Sequence, residues 1–145
     1  MERKKYFDVA ETTRLSAQAY IRENTKTVYR KMNEVAEIAL RAGQSVIVDA
    51  TYLEFEERQA AEAVADRVGV PFVGIWLEAA METTLLRVAQ RRGDASDATG
   101  DIVSAQAKVP SGVLAWHKLD TGDNLEVVQA RLLAIVQQSN LPAIN

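Results

Sequence analysis

Two groups of residues have the types and spacing for chemistry on phosphate. The first is Asp49, which ends the apolar run Val46-Ile47-Val48 within "GQSVIVDATYLEFEER". A carboxylate at the end of a β-branched strand can hold a magnesium-bound water or take the proton of an attacking hydroxyl. It can equally cap the turn into the next helix. The second group is Arg87, Arg91 and Arg92. Arg87 and Arg91 are four apart and share a helix face, with Arg92 beside them at the helix end. Guanidinium groups just before a flexible polar loop suit a lid closing over transferring phosphates. The same residues also fit a solvated basic face that complements the helix dipole, or partners for Asp94, Asp97 and Asp101 in the loop.

Three weaker features accompany these. Arg3-Lys4-Lys5, with Arg14 nearby, reads as a solvated terminus or a contact for an anion. His117, the only histidine, sits between Trp116 and Lys118 near a strand start and reads as structural. Thr121-Gly122 opens a strand-to-helix turn on which a base could rest. Trp76, Trp116 and Tyr20 read as core or core-edge packing.

Composition narrows the function classes. The chain has 145 residues, 48% of them hydrophobic and 26% charged, the balance of one globular domain. A net charge of −3 supplies no basic field for nucleic acid, so any phosphate contact must be local. With no cysteine, a disulfide framework, a thiolate zinc site and a cysteine nucleophile are all excluded. No secretory leader or membrane-length apolar run is present, so a cytoplasmic location is expected.

The elements that must position these residues follow from hydrophobic period and breakers. Ile21, Val28, Met32, Val35 and Ala39 predict one long helix over about Ser16 to Arg41, stopped by Gly43. Ser45 to Asp49 is expected as a strand and Phe55 to Val68 as a helix, with Glu56 and Glu57 in its first turn. After Gly69-Val70-Pro71, Phe72 to Leu77 is apolar at every position and is expected as a strand buried on both faces. Helices are predicted over Met81 to Arg92 and Asp101 to Lys108, and a strand over Trp116 to Asp120. A final helix is announced by Asp123 and Glu126 at capping-box spacing, with Leu125, Val128, Leu132 and Ile135 as its buried stripe. Strands and helices that alternate in this way predict an α/β domain, a mostly parallel sheet flanked by helices in three layers. Ligands bind beyond the carboxyl ends of such strands, where Asp49 and Asp120 stand.

The stretches "SVIVDATYLEFEER", "GVPFVGIWLEA", "RVAQRRGDASDA" and "WHKLDT", in this order, resemble the P-loop kinases of the AAA_33 type. Those kinases are often fused behind an aminoglycoside-phosphotransferase-like domain and are similar in fold to gluconate kinase, zeta toxin and polynucleotide kinase. The likeness covers nearly the whole chain, including the opening "ERKKYF". It implies ATP and Mg²⁺ as cofactors and a small-molecule phosphoryl acceptor as substrate, with no nucleic acid or membrane partner. Asp49 would be the acid near magnesium or substrate. Arg87, Arg91 and Arg92 would be lid residues reaching the ATP phosphates, within a lid of about residues 87–106 that includes Ser96-Asp97. Asp120 and Thr121 would lie near the adenine, and Thr51 and Arg58 would face the acceptor pocket.

The 145 residues depart from that family in one respect: G-x-x-x-x-G-K-[ST] does not occur. The amides and lysine that cradle phosphates are therefore not among them, and efficient phosphoryl transfer by this chain alone is not expected. The likeness implies a P-loop core without its first two strands, and hence a slot between the strands at Val46 and Phe72. The chain could be a piece of a longer one, could draw the two strands together, or could fill the slot with a second copy. A dimer or larger assembly is expected of the isolated chain. A non-catalytic α/β module for oligomerisation or partner binding is the alternative. A hydrolase built on Asp49 and His117 finds no support, because no nucleophile motif such as G-x-S-x-G is present.

Overall fold

The computed structural model describes residues 2–10, 12–13, 15–90, 104 and 114–139. A short helix α1 (Glu2–Tyr6) and a 3₁₀ turn (Ala17–Tyr20) precede the long helix α2 (Arg22–Arg41) and α3 (Phe55–Val68). Strand β1 (Ile75–Glu78), helix α4 (Met81–Gln90), strand β2 (His117–Asp120) and helix α5 (Leu125–Gln138) follow. The two strands pair in parallel, with Ile75 opposite His117 and Glu78 opposite Asp120. A parallel pair joined through a helix is the α/β unit expected from the sequence. Among the described residues the sheet has these two strands alone, and a three-layer arrangement is not seen.

α3 runs over Phe55–Val68, as the sequence predicts. Its first turn is fastened by the Glu54 amide donating to Glu57 Oε2 at 3.4 Å. Its end is set by Gly69 at φ 76°, a left-handed position that glycine occupies without steric penalty, where the Gly69 amide bonds the Ala65 carbonyl at 2.8 Å. α2 packs against α3, and Val28, Tyr29 and Ala36 from the first are buried with Val64 and Ala65 from the second. Glu37 ties the pair together, reaching Arg41 and Arg67 at 2.7 Å each.

Several expectations are corrected. The helix foreseen from Ser16 begins at Arg22, because the carbonyls before it are engaged elsewhere. The Ala19 carbonyl accepts from Arg3 Nη1 at 2.5 Å and the Gln18 carbonyl from Asn24 Nδ2 at 2.9 Å, while Ile21 is extended at φ −62°, ψ 153°. The basic N-terminus is not a solvated patch throughout: Lys4 is 4% exposed, its ammonium bonded to the Thr13 carbonyl, and Arg3 lies 4.7 Å from the Tyr20 ring centroid. Tyr20 is correspondingly 40% exposed rather than core.

Residues 45–49 form no strand. A strand is defined by its partner, and no described segment pairs with this one, so Ile47 stands 96% exposed. The two-sided burial expected of Phe72 to Leu77 also fails. Only Ile75 onward enters the sheet, and Phe72 and Leu77 are 40% and 60% exposed. Among the described residues, no strand pairing joins the segment at Val46 to that at Phe72. α5 starts from Asn124, whose Oδ1 accepts the Val127 amide at 3.0 Å, not from a box made by Asp123. Asp123 instead pairs with Arg131 at 2.7 Å. Of the predicted α5 stripe, Val128, Leu132 and Ile135 are half-buried and Leu125 is 70% exposed.

Candidate functional site

The carboxyl ends of β1 and β2 bring together three of the residues singled out by sequence. Thr121, just past β2, donates from its amide to the Glu78 carbonyl at 2.8 Å and from its hydroxyl to the same oxygen at 3.1 Å. This pairing extends the parallel register one residue beyond Asp120. Arg87, in the last turn of α4, reaches across to that turn. Its Nη2 donates to the Thr121 carbonyl at 2.6 Å and its Nη1 to the Thr121 hydroxyl at 3.2 Å. Asp120 Oδ1 accepts the Gly122 amide at 2.8 Å, an Asx turn that shapes the entry to α5. Arg87 and Asp120 are both exposed. A guanidinium has five N–H donors, and among the described residues Arg87 directs two groups, Nη1 and Nη2, at Thr121.

Asp49 and Thr51 occupy a second corner, between α2 and α3, and both are exposed. The turn that carries them passes through Tyr52, a buried tyrosine at φ 45°. A bulky side chain in the left-handed region costs about 1–3 kcal/mol and persists only where the surroundings impose it. Here they do. The Tyr52 amide donates to Tyr29 Oη at 3.0 Å, and Tyr29 Oη also shares a hydrogen bond with Thr51 Oγ1 at 3.2 Å. From the other side Arg58 donates through Nη1 to the Tyr52 carbonyl at 2.7 Å and the Leu53 carbonyl at 3.0 Å. Arg58 is 2% exposed, with its guanidinium carbon 5.7 Å from the Trp76 ring and 5.9 Å from that of Phe55. It does not face an open acceptor pocket, as the sequence suggested, because two backbone carbonyls and two aromatic rings enclose it.

The rings around this corner form a chain. Tyr52 meets Tyr29 and Trp116 edge-on at 5.2 Å each, and Trp116 lies 5.7 Å from Phe72. Trp116 Nε1 donates to Glu62 Oε1 at 2.6 Å, joining α3 to the start of β2. Gly74 allows the close approach of that indole: a Cβ there would lie 2.3 Å from the ring. Burial raises the Tyr29 phenol above its ordinary value and carries Tyr52 up to about 12, with the Tyr29, Glu57 and Asp49 charges adding to the Tyr52 shift. The Tyr52 hydroxyl is buried and has no hydrogen-bond partner among the described residues. Glu57 is raised too, chiefly by loss of water around its carboxyl.

The sequence reading sets Arg87 with Arg91 and Arg92 in a lid and Asp120 and Thr121 near a base; the structure brings Arg87 onto the Asp120–Thr121 turn. The same reading gives Asp49 to a strand end and, through the family resemblance, Thr51 to an acceptor pocket, and it misses Tyr29 and Tyr52, which hold the turn that carries both. His117, exposed, heads β2 with its amide bonded to the Gly74 carbonyl at 2.9 Å. Arg91, Arg92, Asp94, Ser96, Asp97 and Asp101, with most of the expected lid and the helix expected over Asp101 to Lys108, lie outside the described residues. Among the described residues no three His, Cys, Asp or Glu side chains cluster as metal ligands. Mg²⁺ commonly takes one or two protein carboxylates and keeps its waters, so a single exposed Asp49 fits as its protein partner.

Comparison with known proteins assigns the class of fold. The AAA_33 family, described as an AAA domain, matches residues 2–110, and the chain belongs to that P-loop NTPase-like family. Among curated proteins it is similar to uncharacterised proteins of Mycobacterium tuberculosis and Mycobacterium bovis. Each is 30% identical over 107 residues, a match covering 74% of this chain and 22% of the relative. The chain thus spans about a fifth of the length of these curated relatives. No solved structure matches. No helix among the described residues is long and apolar enough to cross a membrane.

Proposed function

We propose that this chain supplies the nucleotide edge and lid base of an ATP-dependent phosphotransferase acting on a small-molecule acceptor. The observation that carries the reading is the convergence of Arg87 on the Asp120–Thr121 turn at the carboxyl edge of a parallel strand pair. That edge is where ligands of such sheets bind, and there a base could rest on the turn while a guanidinium meets the phosphates. Asp49 takes the role of the acid toward Mg²⁺ or the acceptor, with Thr51 beside the acceptor. Mg²⁺, when bound with ATP, would neutralise charge on the transferring group. Arg91 and Arg92 extend the same basic group along the sequence. The phosphate-cradling loop is not among the 145 residues, so transfer by this chain alone is impaired. The much greater length of the relatives leaves room for further domains, of which an aminoglycoside-phosphotransferase-like one is the kind implied by the resemblance.

A thermal-shift titration with Mg·ATP tests this reading. A saturable rise in the midpoint that is abolished in Arg87→Ala supports it. The absence of any shift at millimolar Mg·ATP counts against it.

A second reading rests on a separate observation. Ile47, Phe72 and Leu77 stand 96%, 40% and 60% exposed along the segments that flank the expected slot. Full burial of such side chains stabilises by about 1.5–3 kcal/mol apiece, so a strand lodged there would be held firmly. In this reading the chain is a non-catalytic module that oligomerises or binds a partner. Sedimentation separates the outcomes: a monomer at micromolar concentration removes the homo-oligomer.

A further inference from the structure

The corner at residues 49–53 carries a feature that its secondary structure does not require. Tyr52 lies at φ 45° although neither its neighbours nor its own side chain favours a left-handed turn. Two side chains from two different helices impose it. Tyr29, on α2, receives the Tyr52 amide and bonds the Thr51 hydroxyl. Arg58, on α3, grips the Tyr52 and Leu53 carbonyls. Backbone strain held from two sides is characteristic of places where one geometry matters to function. The residue two positions before Thr51 is Asp49, and both are exposed while their clamps are buried.

We propose that Tyr29 and Arg58 are positioning residues that clamp the left-handed Tyr52 turn and thereby fix Asp49 and Thr51 in one orientation. This deepens the phosphotransferase reading and rests on it for the role of Asp49. The α2–α3 pair acts as the frame and the turn as the part it holds. Tyr29 acts through its hydroxyl, since its ring would pack edge-on against Tyr52 without it. Arg58 acts through the fork of its guanidinium, which meets two carbonyls at once. A lysine offers one compact ammonium and cannot reproduce that grip.

The test uses the full chain and Tyr29→Phe, which keeps the ring and removes the hydroxyl. Amide hydrogen exchange is read at Tyr52 and across α2 and α3. The clamp predicts at least tenfold faster exchange at Tyr52 in Tyr29→Phe, with the helical amides of α2 and α3 unchanged. Unchanged protection at Tyr52 would overturn it. Arg58→Lys gives an independent arm, since loss of the two-carbonyl grip should displace the Leu53 and Tyr52 carbonyl resonances, and unmoved resonances contradict its half of the clamp. Positioning is read with Mn²⁺ alone as probe, through paramagnetic broadening at the Ala50 and Thr51 amides. It should appear in the wild-type chain, vanish in Asp49→Ala, and require at least threefold more Mn²⁺ in Tyr29→Phe. Equal broadening in Tyr29→Phe and wild type overturns the positioning role. No broadening in the wild type counts against Asp49 as a metal-facing acid, and the exchange result still decides the clamp.

Discussion

Arg87 and Thr121, 34 residues apart, are joined by two hydrogen bonds, one of 2.6 Å to the Thr121 carbonyl and one of 3.2 Å to its hydroxyl. The pair fastens the last turn of α4 to the turn after β2. It is exposed, so its worth to stability is small, on the scale of about 0–1 kcal/mol for surface polar pairs. Arg87→Ala is therefore expected to lower the urea midpoint only slightly while removing the Mg·ATP-dependent stabilisation. A large loss of stability without ligand would show that Arg87 is chiefly structural.

Tyr52 combines a buried ring with a buried hydroxyl that has no partner among the described residues. Removing such a hydroxyl relieves a desolvation penalty of about 1–3 kcal/mol and keeps the aromatic contacts. Tyr52→Phe should therefore unfold at a higher temperature than the wild type. A lower midpoint would mean that the hydroxyl has a partner in solution.

The same residue predicts alkaline behaviour. A phenol whose pKa in the fold is raised above the ordinary 10.0 stabilises the native state fully below pH 10. That contribution is lost as pH climbs through the folded value, about 12 for Tyr52. Tyr29, raised by burial, acts in the same direction. Stability measured in urea should fall between pH 10 and 12, less steeply in Tyr52→Phe, and the two variants falling in parallel would contradict this origin.

Gly74 faces the Trp116 indole so closely that an added Cβ would come within 2.3 Å of Cγ. The ring is held by Glu62, Tyr52 and Phe72 and has little freedom to retreat. Gly74→Ala should destabilise by about 1–3 kcal/mol or more, as overpacking does, and should redden or quench tryptophan emission. A neutral substitution would show that the indole can move.

Glu57 is held above its ordinary pKa of 4.5 by loss of hydration, so its charge opposes folding near neutrality. For an acid raised in the fold, the stabilising contribution is complete below the unfolded pKa and is lost as pH rises through the folded value. Glu57→Gln should be slightly more stable than wild type at pH 7, with the difference shrinking below pH 4.5. A difference constant with pH would assign the effect to packing.

Local signals made α3 readable: acids in the first turn and the Gly69-Val70-Pro71 break at its end. Asp120 at the end of a strand was legible because helix and strand alternation places strand ends on one side, whereas the reach of Arg87 to Thr121 across 34 residues left no local signal. The strand at residues 45–49 was misread because its apolar run reports propensity alone, whereas pairing depends on a neighbour that none of the described residues provides. Tyr29 and Tyr52 left no signal in spacing. Their hydrogen bond spans 23 residues, and a left-handed tyrosine is dictated by its clamps, not by its own preference. Family resemblance alone puts Arg58 at an acceptor pocket; arginine is seldom buried, and only the fold reveals the carbonyls that enclose this one.

The central claim, a nucleotide edge at Arg87 and Thr121, is tested most directly by amide and arginine side-chain NMR during titration with Mg·ATP. The account predicts saturable shifts at Thr121, Gly122 and the Arg87 Nε–H, with shifts at the first two weakened in Arg87→Ala. Shifts confined to other surfaces, or none at millimolar Mg·ATP, would contradict it.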